Sequence, residues 1–289
     1  MPAQCYKLGD RTTTDVREAE TTTSTNDNAP NPPGAFIWYE LITPDPVGAK
    51  DFYDAVVGWS IEPQPTGEMD YRMIGRTDGG FAGGVMRLTD EMAAHGARPL
   101  WLGYVNVDDV DARIAAIEGA GGKTLLPAFD IPNVGRIAMV TDPQGAPFYV
   151  MKPIPPAGQE KQASDVFSPS AEQRVGWNEL STSDPAGARK FYTGQFAWDD
   201  AEFMDMGELG EYRFLAQDGT RIGALCGVMP GQQPKWRYYF RVPSIAKAKE
   251  TAEAKGGSIH MGPHQVPTGD YIIIGNDPQG AEFALVGGQ

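Results

Sequence analysis

One stretch of this chain occurs twice, and the repeat constrains the fold more than any other feature. The first copy runs Trp38-Tyr39-Glu40-Leu41, Asp45-Pro46, Phe52-Tyr53 and Trp59. The second runs Trp177-Asn178-Glu179-Leu180, Asp184-Pro185, Phe191-Tyr192 and Trp198. Each landmark moves by the same 139 residues, Trp38 to Trp177, so the match is ungapped and the chain is a tandem duplication.

Each copy reads as a strand entering a helix. Phe36 to Thr43 is rich in aromatic and β-branched residues, which suit a pleated strand. Asp45-Pro46 then supplies a capping carboxylate and a preset first helical dihedral, and Gly58-Trp59 closes the segment. Period two sorts the strand: Ile37, Tyr39 and Leu41 are expected on the helix, and Phe36, Trp38 and Glu40 on the opposite face. The second copy places Gly176, Asn178 and Leu180 toward its helix, and Val175, Trp177 and Glu179 on the other face. A Trp and a Glu, two apart, thus recur on one face.

The rest of each half repeats as well. Tyr71-Arg72-Met73-Ile74 and Tyr212-Arg213-Phe214-Leu215 each lead through a turn into a Gly-rich strand, where glycines 83, 84, 223 and 227 allow close backbone approach in a curved sheet. The strands around Trp101-Leu102-Gly103-Tyr104 and Trp236-Arg237-Tyr238-Tyr239 come next, now offset by 135 residues, each leading to a capped helix and a hairpin. The last turn, Asp-Pro-Gln-Gly-Ala, is identical at 142–146 and 277–281. Each half therefore holds two similar β-α-β-β-(β) modules. The boundaries read as an N-terminal extension at 1–33, either disordered or an upstream start the working protein does not need. After it come a first domain at 34–153, a Pro/Gly-rich linker at 154–174 and a second domain at 175–289.

The formal net charge of −14 disfavours nucleic acid and anionic membranes as partners. Only two cysteines occur, Cys5 and Cys226, so neither a disulfide framework nor a Cys-rich zinc site is expected. No apolar run approaches the roughly 18 residues of a membrane helix, and the expected location is the cytoplasm.

A strand, an Asp-capped helix containing Phe-Tyr, and a final Asp-Pro-x-Gly turn resemble the vicinal oxygen chelate superfamily of glyoxalases, extradiol dioxygenases and bleomycin-resistance proteins. The likeness covers residues 35 to 286 and is closest to the tandem glyoxalase-like proteins labelled glyoxalase or hydroxylase. The resemblance implies an α+β fold of two tandem glyoxalase-like domains, each built from paired βαβββ units forming a cupped mixed sheet. It also implies a divalent metal, with ligands seven residues before the helix-capping Asp and seven after the Asp of the last turn. In this sequence those positions are Trp38 and Tyr149 in one half, Trp177 and Ala284 in the other. Trp and Ala offer no metal ligand, so no metal and no other cofactor are expected. A register shift of two would bring Glu40 and Glu179 to the first position. The only histidines, His95, His260 and His264, fall in segments read as loops or hairpin edges and are expected at the surface.

What the cups offer instead is aromatic wall with a sparse polar group, which suits a planar or amphipathic small molecule. The candidate ligand-binding residues are Trp38, Glu40, Tyr104 and Tyr149 in the first cup and Trp177, Glu179 and Tyr239 in the second. Glu40 and Glu179 are the catalytic candidates, because a carboxylate facing an apolar interior must be paired, solvated or functional. Three roles compete for them: an acceptor for a backbone or arginine donor, with Arg72 and Arg213 as candidates; a ligand-orienting group; or a general base. The leading reading is a small-molecule binding protein without the standard metal site, as a monomer or homodimer. The alternatives are a metal-dependent lyase or dioxygenase with nonstandard ligands, and cups that serve only as an assembly surface. Met73 against Phe214 and Tyr149 against Ala284 predict unequal cavities.

Overall fold

Asp45 and Asp184 start two equivalent helices by the same local chemistry. Each carboxylate accepts the N–H three residues on, from Gly48 and Gly187, at 3.0 Å, and the proline after each cap begins the helix. The computed structural model describes residues 30–65, 67–155, 158, 162–207, 210–229 and 231–289. The first half runs β1 (Phe36–Thr43), α1 (Pro46–Val57), β2 (Ser60–Ile61), β3 (Tyr71–Gly75), β4 (Phe81–Arg87), α2 (Asp90–Ala94), β5 (Leu100–Asn106), α3 (Val110–Gly119), β6 (Lys123–Ile131), β7 (Gly135–Thr141) and β8 (Pro147–Pro153). The second runs β9 (Val175–Thr182), α4 (Pro185–Phe196), β10 (Phe203–Asp205), β11 (Glu211–Gln217), β12 (Thr220–Gly227), β13 (Lys235–Ser244), α5 (Ile245–Ala254), β14 (Ser258–Gln265), β15 (Tyr271–Asn276) and β16 (Glu282–Gly288).

Each half forms one eight-stranded mixed sheet, ordered β2-β3-β4-β1-β5-β8-β7-β6 and β10-β11-β12-β9-β13-β16-β15-β14. The opening strands of the two units, β1 with β5 and β9 with β13, pair antiparallel in the middle, and the last strand of each unit runs parallel to its own first. This is the expected α+β tandem arrangement of paired βαβββ units. The glycines act as expected: a Cβ on Gly83 would lie 2.2 Å from the Tyr39 carbonyl oxygen, and one on Gly223 1.9 Å from that of Asn178.

The helix-facing sides of both sheets share one hydrophobic core, which joins Leu41, Phe52, Tyr53 and Phe148 to Leu180, Phe191, Tyr192 and Phe283. The opposite faces carry separate clusters, one per half. The halves therefore stand back to back, with α1 against α5 and α3 against α4. Period two fails at one point in each opening strand. A register shift between Phe36 and Trp38 turns Phe36 into the shared core and Ile37 into the first cup's cluster, and a matching shift opposite Val175 does the same for that residue. The bulges correct the expected sorting of these three residues and of Gly176, where a Cβ would meet Val286 of the second cup's cluster at 3.4 Å, while Trp38, Glu40, Trp177 and Glu179 keep theirs.

The halves exchange hydrogen bonds reciprocally. Trp101 Nε1 donates to Tyr53 OH (3.0 Å), which donates to Asp277 Oδ2 (3.0 Å); Trp236 Nε1 donates to Tyr192 OH (2.9 Å), which donates to Asp142 Oδ2 (3.2 Å). The other oxygen of each Asp accepts two backbone N–H groups of its own Asp-Pro-Gln-Gly-Ala turn. At the middle of the contact, Tyr39 OH donates to Asn178 Oδ1 (2.8 Å) and Gly103 N–H to Tyr238 OH (2.7 Å).

Residues 1–29, with Cys5, lie outside the described residues. Asn31 exchanges bonds with the backbone of Ser164, and the Pro33 carbonyl accepts from Gln217 Nε2. The connecting segment is docked where described: Val166 is buried, and Asp165 accepts from Arg76 and Arg174. Among the described residues no helix is long and apolar enough to cross a membrane.

Tyr53→Phe and Tyr192→Phe each orphan a buried indole N–H and a carboxylate oxygen. Each should cost about 1–3 kcal/mol in urea denaturation. Losses under about 0.5 kcal/mol would show that the exchanged bonds do not hold the halves together.

Candidate functional site

The faces turned away from the shared core form the two cups. Strand register gathers the expected residues there. Trp38 lies opposite Tyr104, which lies opposite Tyr149; Trp177 lies opposite Tyr239, which lies opposite Ala284. Glu40 sits one cup-facing step along, between Gly84 and Leu102, and Glu179 between Ala224 and Arg237.

In the first cup, Tyr104 OH donates to Glu40 Oε2 (2.9 Å), and Trp38 Nε1 donates to Tyr71 OH (2.7 Å), whose hydroxyl also stabilises the ionised carboxyl. Tyr104 and Tyr149 stack at 4.2 Å between ring centroids. Glu40 is 2% exposed, and its Oε1 is buried without a hydrogen-bond partner. Burial pushes its carboxyl up to about 7, against the opposing effect of Tyr104 and Tyr71. Met92, Ala93 and Ala97, from α2 and the residues after it, pack on the apolar part of this face beside Ile42 and Leu100.

The second cup repeats the polar chain with a different charge balance. Trp177 Nε1 donates to Tyr212 OH (2.8 Å), which donates to Glu179 Oε2 (2.9 Å), and Tyr239 OH reaches Glu179 Oε1 (3.2 Å). Where the first cup has Leu102, Arg237 bridges two carboxylates: Nη1 to Glu179 Oε1 and Nε to Glu282 Oε1 (2.9 Å). Lys235 adds a bond to Glu282 at 2.6 Å. Burial works to raise the Glu282 carboxyl, but Arg237 and Lys235 outweigh it and hold it below its usual range.

This cup also opens. The connection that carries α2 in the first half, residues 88–99, is replaced by the shorter 228–234, which holds no helix among its described residues. Ala284 stands where the first cup has the stacked Tyr149. The second cup holds a cavity of about 100 Å³ lined by Glu179, Ser181, Tyr212 and Cys226, together with Met206, Met229 and Met261. The expected inequality of the two cups is thus present, and Phe214 does face inward, edge-on to Trp177.

One expectation about the site is corrected. Arg72 and Arg213 do not reach the glutamates: Arg72 bonds to Asp70 and the Pro63 carbonyl, Arg213 to Glu211 and the Asp200 carbonyl. Period two turns them to the side opposite Tyr71 and Tyr212. His260 is exposed on strand β14, as expected, and from there also lines the second cavity with Nε2 4.0 Å from Glu282. The tyrosines that complete both networks, Tyr71 and Tyr212, were absent from the expected site, although their recurrence on matching strands was a usable signal. Arg237 and Glu282 have no charged counterpart in the first half, where Leu102 and Pro147 stand, so the repeat could not single them out.

The positions that the resemblance assigns to metal hold Trp38, Tyr149, Trp177 and Ala284, a donor set that does not fit a divalent ion. Among the described residues no three His, Cys, Asp or Glu side chains gather as a potential metal site.

Comparison with known proteins gives a consistent picture. The family model described as Glyoxalase/Bleomycin resistance protein/Dioxygenase superfamily matches residues 35–150 and again 174–285. The Mycobacterium bovis protein named "Putative glyoxylase CFP32" is 32% identical over 255 residues, covering 86% of this chain and 93% of that protein. The anthracycline biosynthesis protein DnrV of Streptomyces peucetius is 28% identical over 268 residues, covering 88% and 93%. Among solved structures, homoprotocatechuate 2,3-dioxygenase from Brevibacterium fuscum superposes with a TM-score of 0.62 at 18% identity over 89% of this chain and 82% of that one. A Mn(II)-bound glyoxalase from Novosphingobium aromaticivorans gives 0.60 at 17% over 88% and 82%.

Glu40 binds its proton more tightly folded than unfolded. That contribution to stability is complete below its ordinary value of 4.5 and is lost as pH rises to about 7. Relative to Glu40→Gln, the wild type should lose about 2 kcal/mol of unfolding free energy between pH 5 and 8. A pH-independent difference between the two proteins in urea would show that the carboxyl titrates normally.

Proposed function

We propose that this chain, which belongs to the glyoxalase/bleomycin resistance protein/dioxygenase superfamily, binds a small aromatic or amphipathic molecule in a cupped pocket without the superfamily's standard metal site. The observation that carries the reading is the second cup: a cavity with thioether-bearing, conformationally adaptable methionines around a floor of paired charges and tyrosine hydroxyls. Tyr212 supplies aromatic surface in the cavity, with Phe214 and Trp177 packed behind it, and Glu179, fixed by Tyr212, Tyr239 and Arg237, is an oriented acceptor. The relation to a protein named for anthracycline biosynthesis supports a ring system as the ligand. The donor set at the ligand positions supports binding without a metal ion.

The test combines composition with occupancy. Protein purified without added metal or a histidine tag is analysed for metals before and after incubation with nickel, zinc, manganese or iron(II), then screened against planar aromatic compounds by ligand-observed NMR. The expected result is no stoichiometric metal and at least one binder. Cys226→Trp, which puts a large ring into the cavity from its own lining, should weaken that binder at least about tenfold, or ~1.4 kcal/mol. A stoichiometric metal would overturn the metal-free reading, and unchanged affinity in the folded Cys226→Trp protein would overturn the placement in the second cup.

A further inference from the structure

We infer that the second cup holds a site for a soft monovalent metal ion, copper(I) by class, taken by the sulfurs of Met206, Met229, Met261 and Cys226 and the imidazole of His260. This goes beyond the small-molecule reading and does not depend on it, since a sulfur site of this kind is not the superfamily's standard metal site. The starting observation is that all five side chains line one small cavity. They come from both ends of the sheet. Met206 directly follows the edge strand β10, Cys226 lies on β12, Met229 on the connection after it, and His260 and Met261 on the opposite edge strand β14. Only the curl of the sheet brings them to one space.

The hard donors of the lining are already engaged. Glu179 accepts from Tyr212 (2.9 Å), Tyr239 and Arg237; Glu282 from Arg237 (2.9 Å) and Lys235 (2.6 Å); and Glu211 from Arg213 (3.1 Å). Beside them stand one thiol, one imidazole and three thioethers. Such a set is weighted toward soft donors, which favour copper(I) over harder divalent ions such as manganese(II). Zinc needs at least three Cys, His or carboxylate ligands together, and among the described residues no such three gather. When the ion binds, the Cys226 thiol gives its proton to solvent, and thiolate and monovalent cation form a neutral pair. Burial holds His260 below its usual range against the opposing pull of Glu282, which keeps the imidazole neutral and able to ligate at neutral pH. Glu282, 4.0 Å from His260 Nε2, stands where an outer carboxylate steadies a ligating imidazole.

The donor set belongs to the second half alone. Cys226 pairs with Ser181 as Met86 does with Ile42, and Met261 with Ile274 as Leu126 does with Met139. The first half therefore has Met86, Leu125 and Leu126 where the second has Cys226, His260 and Met261. Nor are these the positions that the resemblance gives to a divalent metal, since Trp177 and Ala284 lie on the inner strands β9 and β16.

The test titrates the full chain, stripped of metal and kept reduced under nitrogen, with copper(I) held by bicinchoninate, whose absorbance falls as the protein takes the ion. The expected result is uptake of one equivalent, with sulfur neighbours in copper K-edge X-ray absorption. Cys226→Ser, His260→Gln and the triple variant Met206→Leu, Met229→Leu, Met261→Leu should each weaken uptake at least about tenfold. Leucine conserves volume, so the triple variant should keep the fold. Met206→Leu with Met229→Leu repeats the test with the buried Met261 untouched. Cys5→Ser, and Met86→Leu with Met92→Leu in the first cup, should leave uptake unchanged. No uptake, uptake lost with Cys5→Ser, undiminished affinity in the Cys226→Ser or methionine variants, or equal uptake of zinc(II) would overturn the site. The small-molecule reading stands or falls separately, on its aromatic screen.

Discussion

The structure depends on a hydrogen bond made twice, each time from a tyrosine on one half's first helix to the aspartate of the other half's last turn. Tyr53 meets Asp277 and Tyr192 meets Asp142, and each tyrosine is held by a tryptophan of its own half's fifth-strand position. The aspartates first order their own turns and then offer the remaining oxygen across the interface, so one residue serves both local and tertiary structure. Burial raises both carboxyls, against the opposing effect of the backbone and tyrosine donors. A buried carboxylate in that position needs every donor it has. This explains why the five-residue turn is identical in the two halves: it is one half of a docking contact that must be satisfied in both directions.

Much of this was legible in the sequence. The ungapped repeat gave the two halves, the Asp-Pro caps gave the helix starts, and period two placed Trp38, Glu40, Trp177 and Glu179 on the cup faces. What escaped has physical causes. A bulge breaks period two without a glycine or proline to announce it in the first half, so Phe36 and Ile37 exchanged faces. Tyr71 and Tyr212 lie on a different strand from the glutamates they serve, and only the sheet order brings them together. Arg237 and Glu282 belong to one half alone, and their partnership runs between strands β13 and β16, far apart in sequence.

The two cups show one scaffold in two electrostatic regimes. Both carry the chain Trp–Tyr–Glu–Tyr, in which an indole fixes a phenol and phenols fix a carboxyl. The residue opposite the glutamate sets the regime. Leu102 leaves Glu40 without a cation, and desolvation moves its titration toward neutrality; Arg237 gives Glu179 a counterion and ties it to Glu282. One apolar-to-cationic difference at equivalent positions converts a proton-holding site into a charge-paired one.

Duplication within one chain is what permits such divergence. In a homodimer every residue near the two-fold must be compatible with its own copy. Here the equivalent positions 39 and 178 hold Tyr and Asn, which bond to each other, and positions 103 and 238 hold Gly and Tyr. A Cβ on Gly103 would lie 2.8 Å from the Tyr238 oxygen, so the large member of the pair requires the small one. The middle of the molecule is thus built from unequal complements, as the cups are. Neither half could pair with an identical copy through this surface without a clash or a lost bond, and the covalent link between them makes the unequal cups a fixed property of every molecule.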